Sequence, residues 1–274
     1  MSNDGILDTE LTGDIDLYAK EATFVLRNGD SFKQLIPEDA MAVYFTDEVM
    51  PENAGLIDVD DDGDGGVAAW MDGTVMKVST QVNGVSAVAN QNCKNMFSKK
   101  TKLTEIGFNC IDTSGMTNMQ SMFLGCSCLQ ELDLSHFDTS NVTNMRRMFH
   151  RCGKLESIDV SSFNTSKVTN MEAMFYSCSS LLQLSIEHFD TGKVTNMSMM
   201  FLSCSKLTEL NVKNFNTARV TDMSHMFSSC QMLTDLDVSS FDTSGVKNMQ
   251  QMFYQLRQST TSIGYNPDIP HGRG

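Results

Sequence analysis

The chain has no stretch of the roughly 18–20 apolar residues that a transmembrane helix needs, so the sequence predicts no membrane insertion. Its start, MSNDGILDTELTGDIDLY, has neither a basic end nor an apolar run and does not read as a signal peptide. No lipidated Cys follows the initiator, and no sorting or prenylation box closes the C-terminus, so no export address or anchor is visible. Basic residues are scarce at one end. Residues 1–80 hold 18 Asp/Glu and four Lys/Arg, whereas residues 81–274 hold 16 of each. All the formal acidity therefore precedes residue 81, which marks a boundary and argues against nucleic acid as a partner. Nucleophile elbows, P-loops and zinc motifs are also missing. Of the five His, His136 and His188 share a repeat column but stand two repeats apart, roughly 10 Å by strand spacing and too far for one metal. The chain reads as a non-enzyme without a cofactor or a resident metal.

What is present is one phrase, repeated. FDTSNVTNMRRMFHRCGKLESIDVSS begins at Phe137, and Phe163, Phe189, Phe215 and Phe241 begin it again at steps of 26 residues. Ile111 opens an earlier copy, and Met96-Phe97 with Leu103 and Ile106 is a remnant of another. A fixed period of this size predicts a stacked repeat architecture. Nine columns are apolar in nearly every copy: Phe137, Val142, Met145, Met148, Phe149, Cys152, Leu155, Ile158 and Val160 in one of them. Offsets of 0, 3, 6, 7 and 10 from Val142 predict a short helix face. Leu155, Ile158 and Val160 predict entry into a short strand. The expected fold is an α/β solenoid, a leucine-rich-repeat-like stack of turn-helix-strand rungs with a parallel sheet on one face. A small β-rich N-terminal region precedes it.

The polar columns read as scaffold. Thr139, Thr165, Thr191, Thr217 and Thr243, each after Asp or Asn, suit tight turns. Thr117 with Gln120 and Thr169 with Glu172 have capping-box spacing. Cys126, Cys152, Cys178, Cys204 and Cys230 share a column too widely spaced for bridges, and read as small buried apolar residues. The 21 Met follow mainly from two core columns.

Ahead of the repeats, Ala22 to Ile36 predicts two strands around Asn28-Gly29, and MAVYF (Met41 to Phe45) another strand. GVAAWMDGTVMKVST predicts a hairpin around Asp72-Gly73, with the only Trp, Trp70, as part of a lid on the first repeat. In between, Asp58, Asp60, Asp62, Gly63 and Asp64 match the first seven positions of an EF-hand-type loop. The twelfth position is Ala69, where a bidentate Glu is needed, so the run reads first as a solvated turn and second as a weak calcium site. The expected divisions are 1–50, an acidic region with short strands; 51–84, the acidic loop and capping hairpin; 85–253, the repeats; and 254–274, an irregular tail.

At the residues FDTSNVTNMRRMF…C..L..L.LS the chain resembles the BspA-family leucine-rich-repeat surface proteins, including the Mycoplasma-named repeat family of unknown function. The stretch DGDGGVAAWMDGTVMKVST followed by Ala89-Asn90 is similar to the lead-in found before such arrays. The resemblance implies a surface protein, extracellular or on the cell surface, acting in adhesion or protein–protein interaction, with no catalytic residues. The expected ligand-facing columns are Glu131, Ser157, Gln183, Glu209 and Asp235, then Asp133, Asp159, Ser185, Asn211 and Asp237. They are small, polar and acidic, without an aromatic anchor. The expected partner is a protein or cell-surface ligand; the alternative is a purely structural spacer, stalk or phage-tail segment. The pattern fails at Leu256, which predicts self-association through the C-terminal end unless Ile263 and Tyr265 cover it.

Overall fold

The computed structural model describes residues 24–256. Within them the 26-residue period is a stacking relation, and the apolar columns merge into one continuous core. Phe137, Val142, Met145, Met148, Phe149, Cys152, Leu155 and Val160 are all buried, while Ile158 is half-buried. Phe97, Phe123, Phe149, Phe175, Phe201, Phe227 and Phe253 stack ring on ring, with centroids 5.4–6.0 Å apart and planes within 14° of parallel. Beside them the Sγ of Cys126, Cys152, Cys178, Cys204 and Cys230 each donates to a Phe carbonyl 29 residues earlier, at 3.0–3.1 Å. All eight cysteines are free thiols.

The expected helix in each repeat is absent. Residues 145–152 form successive tight turns instead. The N–H groups of Met148, His150 and Cys152 close onto carbonyls three residues back, at 3.1–3.2 Å. Those of Met145, Arg147, Phe149 and Arg151 leave the segment and donate to Asn170, Glu172, Met174 and Tyr176 of the next repeat, at 2.7–3.1 Å. An α-helix returns its interior N–H groups to the fourth preceding carbonyl, so it could not export every second one. The alternation requires positive φ at Arg147 (56°) and Arg151 (63°), and the equivalent residues of neighbouring repeats share it. Turns with a left-handed third residue satisfy the apolar spacing as well as a helix face does. The capping-box reading falls with the helix. The hydroxyls of Thr117 and Thr169 donate to Gln91 O and Thr143 O, 26 residues earlier, at 3.1 and 3.2 Å.

The other polar columns serve the stack. The buried hydroxyls of Thr139, Thr165, Thr191 and Thr217 donate to the carbonyls of Asn164, Asp190, Asn216 and Asp242 in the next repeat, at 2.9–3.1 Å. Each preceding Asx folds its side chain onto the N–H two residues on, as Asp138 does with Ser140 at 2.8 Å.

The strand side is less regular than expected. β8 (Glu131–Asp133) and β9 (Ser157–Asp159) pair in parallel, with Leu132 opposite Ile158. Residues 183–185 form no strand, and Glu209 meets Asp235 only as an isolated parallel bridge. Glu156 N bonds Gln130 O at 2.8 Å, but the equivalent contacts Leu182 to Glu156 and Thr208 to Leu182 stretch to 3.4 and 3.3 Å. The turn side, with its short exported bonds, holds the repeats in register.

The array meets α1 (Gly29–Leu35), the one helix among the described residues, and β1 (Ala42–Phe45). The hairpin expected at Asn28-Gly29 is not there. Asn28 is the N-cap of α1, its Oδ1 accepting from Ser31 N at 3.2 Å, and Phe32 and Ile36, one turn apart, face the core. β1 is joined by β2 (Ile57–Asp58), β3 (Ala68–Asp72), β4 (Val75–Ser79) and β6 (Glu105–Phe108) in a sheet of order β2-β3-β4-β1-β6. β5 (Ala87–Val88) and β7 (Ile111–Asp112) make a separate parallel pair. The sheets are small and none closes on itself. The β3–β4 hairpin forms as expected, shifted by one residue. Asp72 pairs with Val75 around Gly73-Thr74, and Gly73 has φ 61°. Trp70 is buried but lies outside the cluster that runs into the repeats: it alternates with Ala69 and stands opposite Lys77. Phe32 meets Phe97 edge-on at 6.1 Å instead, and Phe45 stacks on Phe108 at 5.7 Å. Buried Lys100 adds a tie, its Nζ donating to Ile36 O at 2.6 Å beyond the helix end. The expectations for Ile263 and Tyr265 lie outside the described residues.

Candidate interaction surface

Strand alternation turns Leu132, Leu184, Leu210 and Leu236 inward and their flanking residues outward. Glu131, Asp133, Ser157, Asp159, Gln183, Ser185, Glu209, Asn211 and Asp235 are exposed, and Asp237 is half-buried. The two columns are not equivalent. In the second, Asp133, Asp159, Asn211 and Asp237 each spend an oxygen on the N–H two residues on, at 2.9, 2.9, 3.3 and 3.0 Å. Hydrogen bonds from the serines two residues on hold the carboxyls of Asp133, Asp159 and Asp237 below the usual carboxylate range. They stay ionised while closing a turn. Asp237 also faces Lys213 at 3.5 Å.

The structure adds residues to this surface that the repeat pattern does not contain. β1 pairs with β6, and β6 lies beside β8, so the strand column continues into the N-terminal sheet. A groove of about 460 Å³ opens there, lined by Tyr44, Glu105, Gly107, Glu131, Asp133 and His136 among others. Tyr44 supplies the aromatic surface that the repeat columns lack. Its ring lies on Gly107, where a Cβ would sit 2.5 Å from Tyr44 Cδ1. A hydrogen bond to Glu105, with burial, raises its phenol above the ordinary value. The sequence signal was the outward position of Tyr44 between inward Val43 and Phe45. A shallower groove of about 540 Å³ follows along β8 and β9, lined by Asp133, Ser157, Asp159 and Ser185 among others.

The acidic loop is drawn together in part. Carboxylate oxygens of Asp60, Asp62 and Asp64 lie within 4.8 Å of one another. Asp58 is not among them; it pairs with Arg27 at 3.1 Å. Asp60 is buried and accepts from Asp61 N and Gly66 N at 3.1 Å each. Its burial, with Asp64 and Asp62 alongside, raises its carboxyl to about 7. Ala69, at the twelfth loop position, is buried in β3 and offers no side-chain ligand. Three carboxylates can hold a divalent cation only with water or backbone completing the shell.

A polar cluster lies on the turn side. Glu172 pairs with Arg146 at 2.8 Å and Arg147 at 3.1 Å, and His150 stacks on Tyr176 with centroids 4.4 Å apart.

The family model described as "Mycoplasma protein of unknown function, DUF285" matches residues 91–185 and 181–266, well over half of the chain. The chain belongs to this family. No curated protein matches it. Among solved structures it is similar to a leucine-rich repeat protein from Bacteroides ovatus, at 17% identity and a TM-score of 0.30, over 65% of this chain and 55% of that one. The chain thus spans little more than half the length of that protein. The matched DUF285 segments begin at residue 91, so the Tyr44 groove straddles their edge. Glu105, Glu131, Asp133 and His136 belong to the family repeats, and Tyr44 to the sheet ahead of them.

Proposed function

We propose that the chain is a non-enzymatic interaction or adhesion module. In this reading a leucine-rich-repeat-like solenoid presents its strand face to a protein or cell-surface ligand outside the cell. The observation that carries it is the exposed strip from Glu105 through Glu131, Asp133 and Asp159, with the Tyr44 groove at one end. The repeat core is spent on stacking and the second outward column closes turns, so the first column, from Glu131 to Asp235, is the one left to vary in chemistry. The test is binding of the immobilised protein to a panel of purified extracellular glycoproteins. Charge reversal at Glu131 and Glu209 should abolish binding while thermal unfolding is unchanged; a ligand retained by that variant overturns the reading.

A second reading, a spacer that associates through its C-terminal end, has its own support. The N–H groups of Met223, His225, Phe227 and Ser229 each bond the following repeat, and stacking through exported N–H groups is a linkage that a second copy can continue. Sedimentation across protein concentrations separates the readings. Dimers abolished by a polar capping repeat grafted after Phe253 favour the spacer, and a monomer at all concentrations removes it.

A further inference from the structure

From the same strand face, and resting on the interaction reading, we infer that the Tyr44 groove seats a lysine or arginine side chain from an extended segment of a partner protein. Charge selects the occupant. Glu105, Glu131 and Asp133 line the groove, Asp159 continues the line along β9, and no Lys or Arg is among the lining residues. His136 is the one basic group there. A phosphate-bearing ligand would be repelled by this field. A bare divalent cation fits poorly, because the three carboxylates do not converge as those of Asp60, Asp62 and Asp64 do.

Shape selects the side chain. Tyr44 packs its ring against Gly107 and lines the groove together with the carboxylates. The long stem of Lys or Arg packs against apolar surface while its head stays near water and charge, and a cation over a tyrosine face is itself attracted. A volume of about 460 Å³ exceeds the roughly 300 Å³ at which ligand clefts begin. The second groove continues past Asp159 to Ser185, so a chain running across the strands would meet further carboxyl and hydroxyl groups. Asp133, whose Oδ1 accepts from Ser135 N at 2.9 Å, is oriented before any ligand arrives.

The experiment uses the full chain and three blocked, fluorescently labelled peptides in which Ser alternates with Lys, Arg or Glu. Anisotropy should show the Lys and Arg peptides binding and the Glu peptide not. Raising salt from about 50 to about 300 mM should weaken binding about tenfold, as expected of rim charges. Glu131→Gln with Asp133→Asn should weaken it about tenfold, and so should Gly107→Val, which displaces the Tyr44 ring without changing charge. Glu187→Gln, exposed but outside both outward columns and both grooves, should leave it unchanged. Equal binding of the Glu peptide, no loss in the double variant, or equal loss in Glu187→Gln each overturns the inference. To guard against misfolding, a Gly107→Val loss counts only if Tyr44→Ala, which removes the ring and leaves Gly107, repeats it; full binding by Tyr44→Ala also overturns the inference. If no peptide binds while charge reversal still removes a glycoprotein ligand, the inference falls and the interaction reading stands.

Discussion

Phe149 and Phe175 stack with ring centroids 5.4 Å apart and planes 14° from parallel, at the middle of a column that runs from Phe97 to Phe253. Each ring is covered above and below by the same residue of the adjacent repeats, so its burial depends on both neighbours. Phe175→Ala should therefore open a cavity shared by three repeats and cost about 3–5 kcal/mol in denaturant unfolding. A loss below about 1 kcal/mol would place Phe175 outside the core.

The left-handed turns make a prediction of opposite sign to that for a helix. Ser177 has φ 57° and donates its N–H to Leu202 O at 2.8 Å. A non-glycine residue in that conformation costs on the order of 1 kcal/mol, part of which glycine relieves. Ser177→Gly should raise stability by a few tenths to about 1 kcal/mol, and Ser177→Val should lower it by more than about 1 kcal/mol. In a helix interior the glycine would instead destabilise by up to about 1 kcal/mol relative to alanine. The sign of the shift for Ser177→Gly decides between the two.

The thiol column should be silent in the native protein. Burial pushes Cys152 and Cys230 up to about 12, and Cys126, Cys178 and Cys204 are buried in the same way. A reagent that attacks thiolates should label the half-buried Cys110 and Cys128 first and the column only after denaturation. Fast labelling of Cys152, Cys178 or Cys204 before unfolding contradicts the placement.

Two groups give stability opposing pH dependence. Burial, with Arg151 and Arg147 nearby, lowers His150 to about 4 from an ordinary value near 6.5. Between those values the unfolded chain binds more protons, so stability is complete above about 6.5 and falls as the pH drops toward 4. Because the ring is half-buried, solvent screening leaves an effect on the order of 1–2 kcal/mol. Asp60 works the other way. Its raised value means that the folded chain binds more protons between about 4 and 7, so stability falls as pH rises through that window. Unfolding midpoints from pH 4 to 8 should show the first slope vanish in His150→Gln and the second in Asp60→Asn. Parallel curves for wild type and either variant refute the corresponding assignment.

Much of the fold is legible in the sequence. The 26-residue period named every buried apolar column from Phe137 to Val160, because a side chain packed in the core between repeats recurs as apolar in each copy; the buried Thr139 column read only as a turn residue. β1 and the β3–β4 hairpin were equally plain, since period-two alternation and a Gly turn are local signals. The outward columns of the candidate surface followed from the inward ones. What the sequence could not say was where the backbone N–H groups go. Val142, Met145, Met148, Phe149 and Cys152 face inward whether Arg147 N–H bonds within its own segment or reaches Glu172 in the next repeat. Only the stacked neighbour decides, by offering carbonyls at 2.7–3.1 Å that are worth the left-handed φ at Arg147 and Arg151. Asn28-Gly29 was ambiguous in the same way. It opens α1 rather than a hairpin because Phe32 and Ile36 find a core in Phe97 and Phe45. Tyr44 could be read as outward-facing, but its place beside Glu105, Glu131 and His136 comes from the pairing of β1 with β6, across 60 residues of chain. Local pattern fixes which side of an element is buried; long-range pairing, a property of the whole folded chain, decides what its exposed side meets.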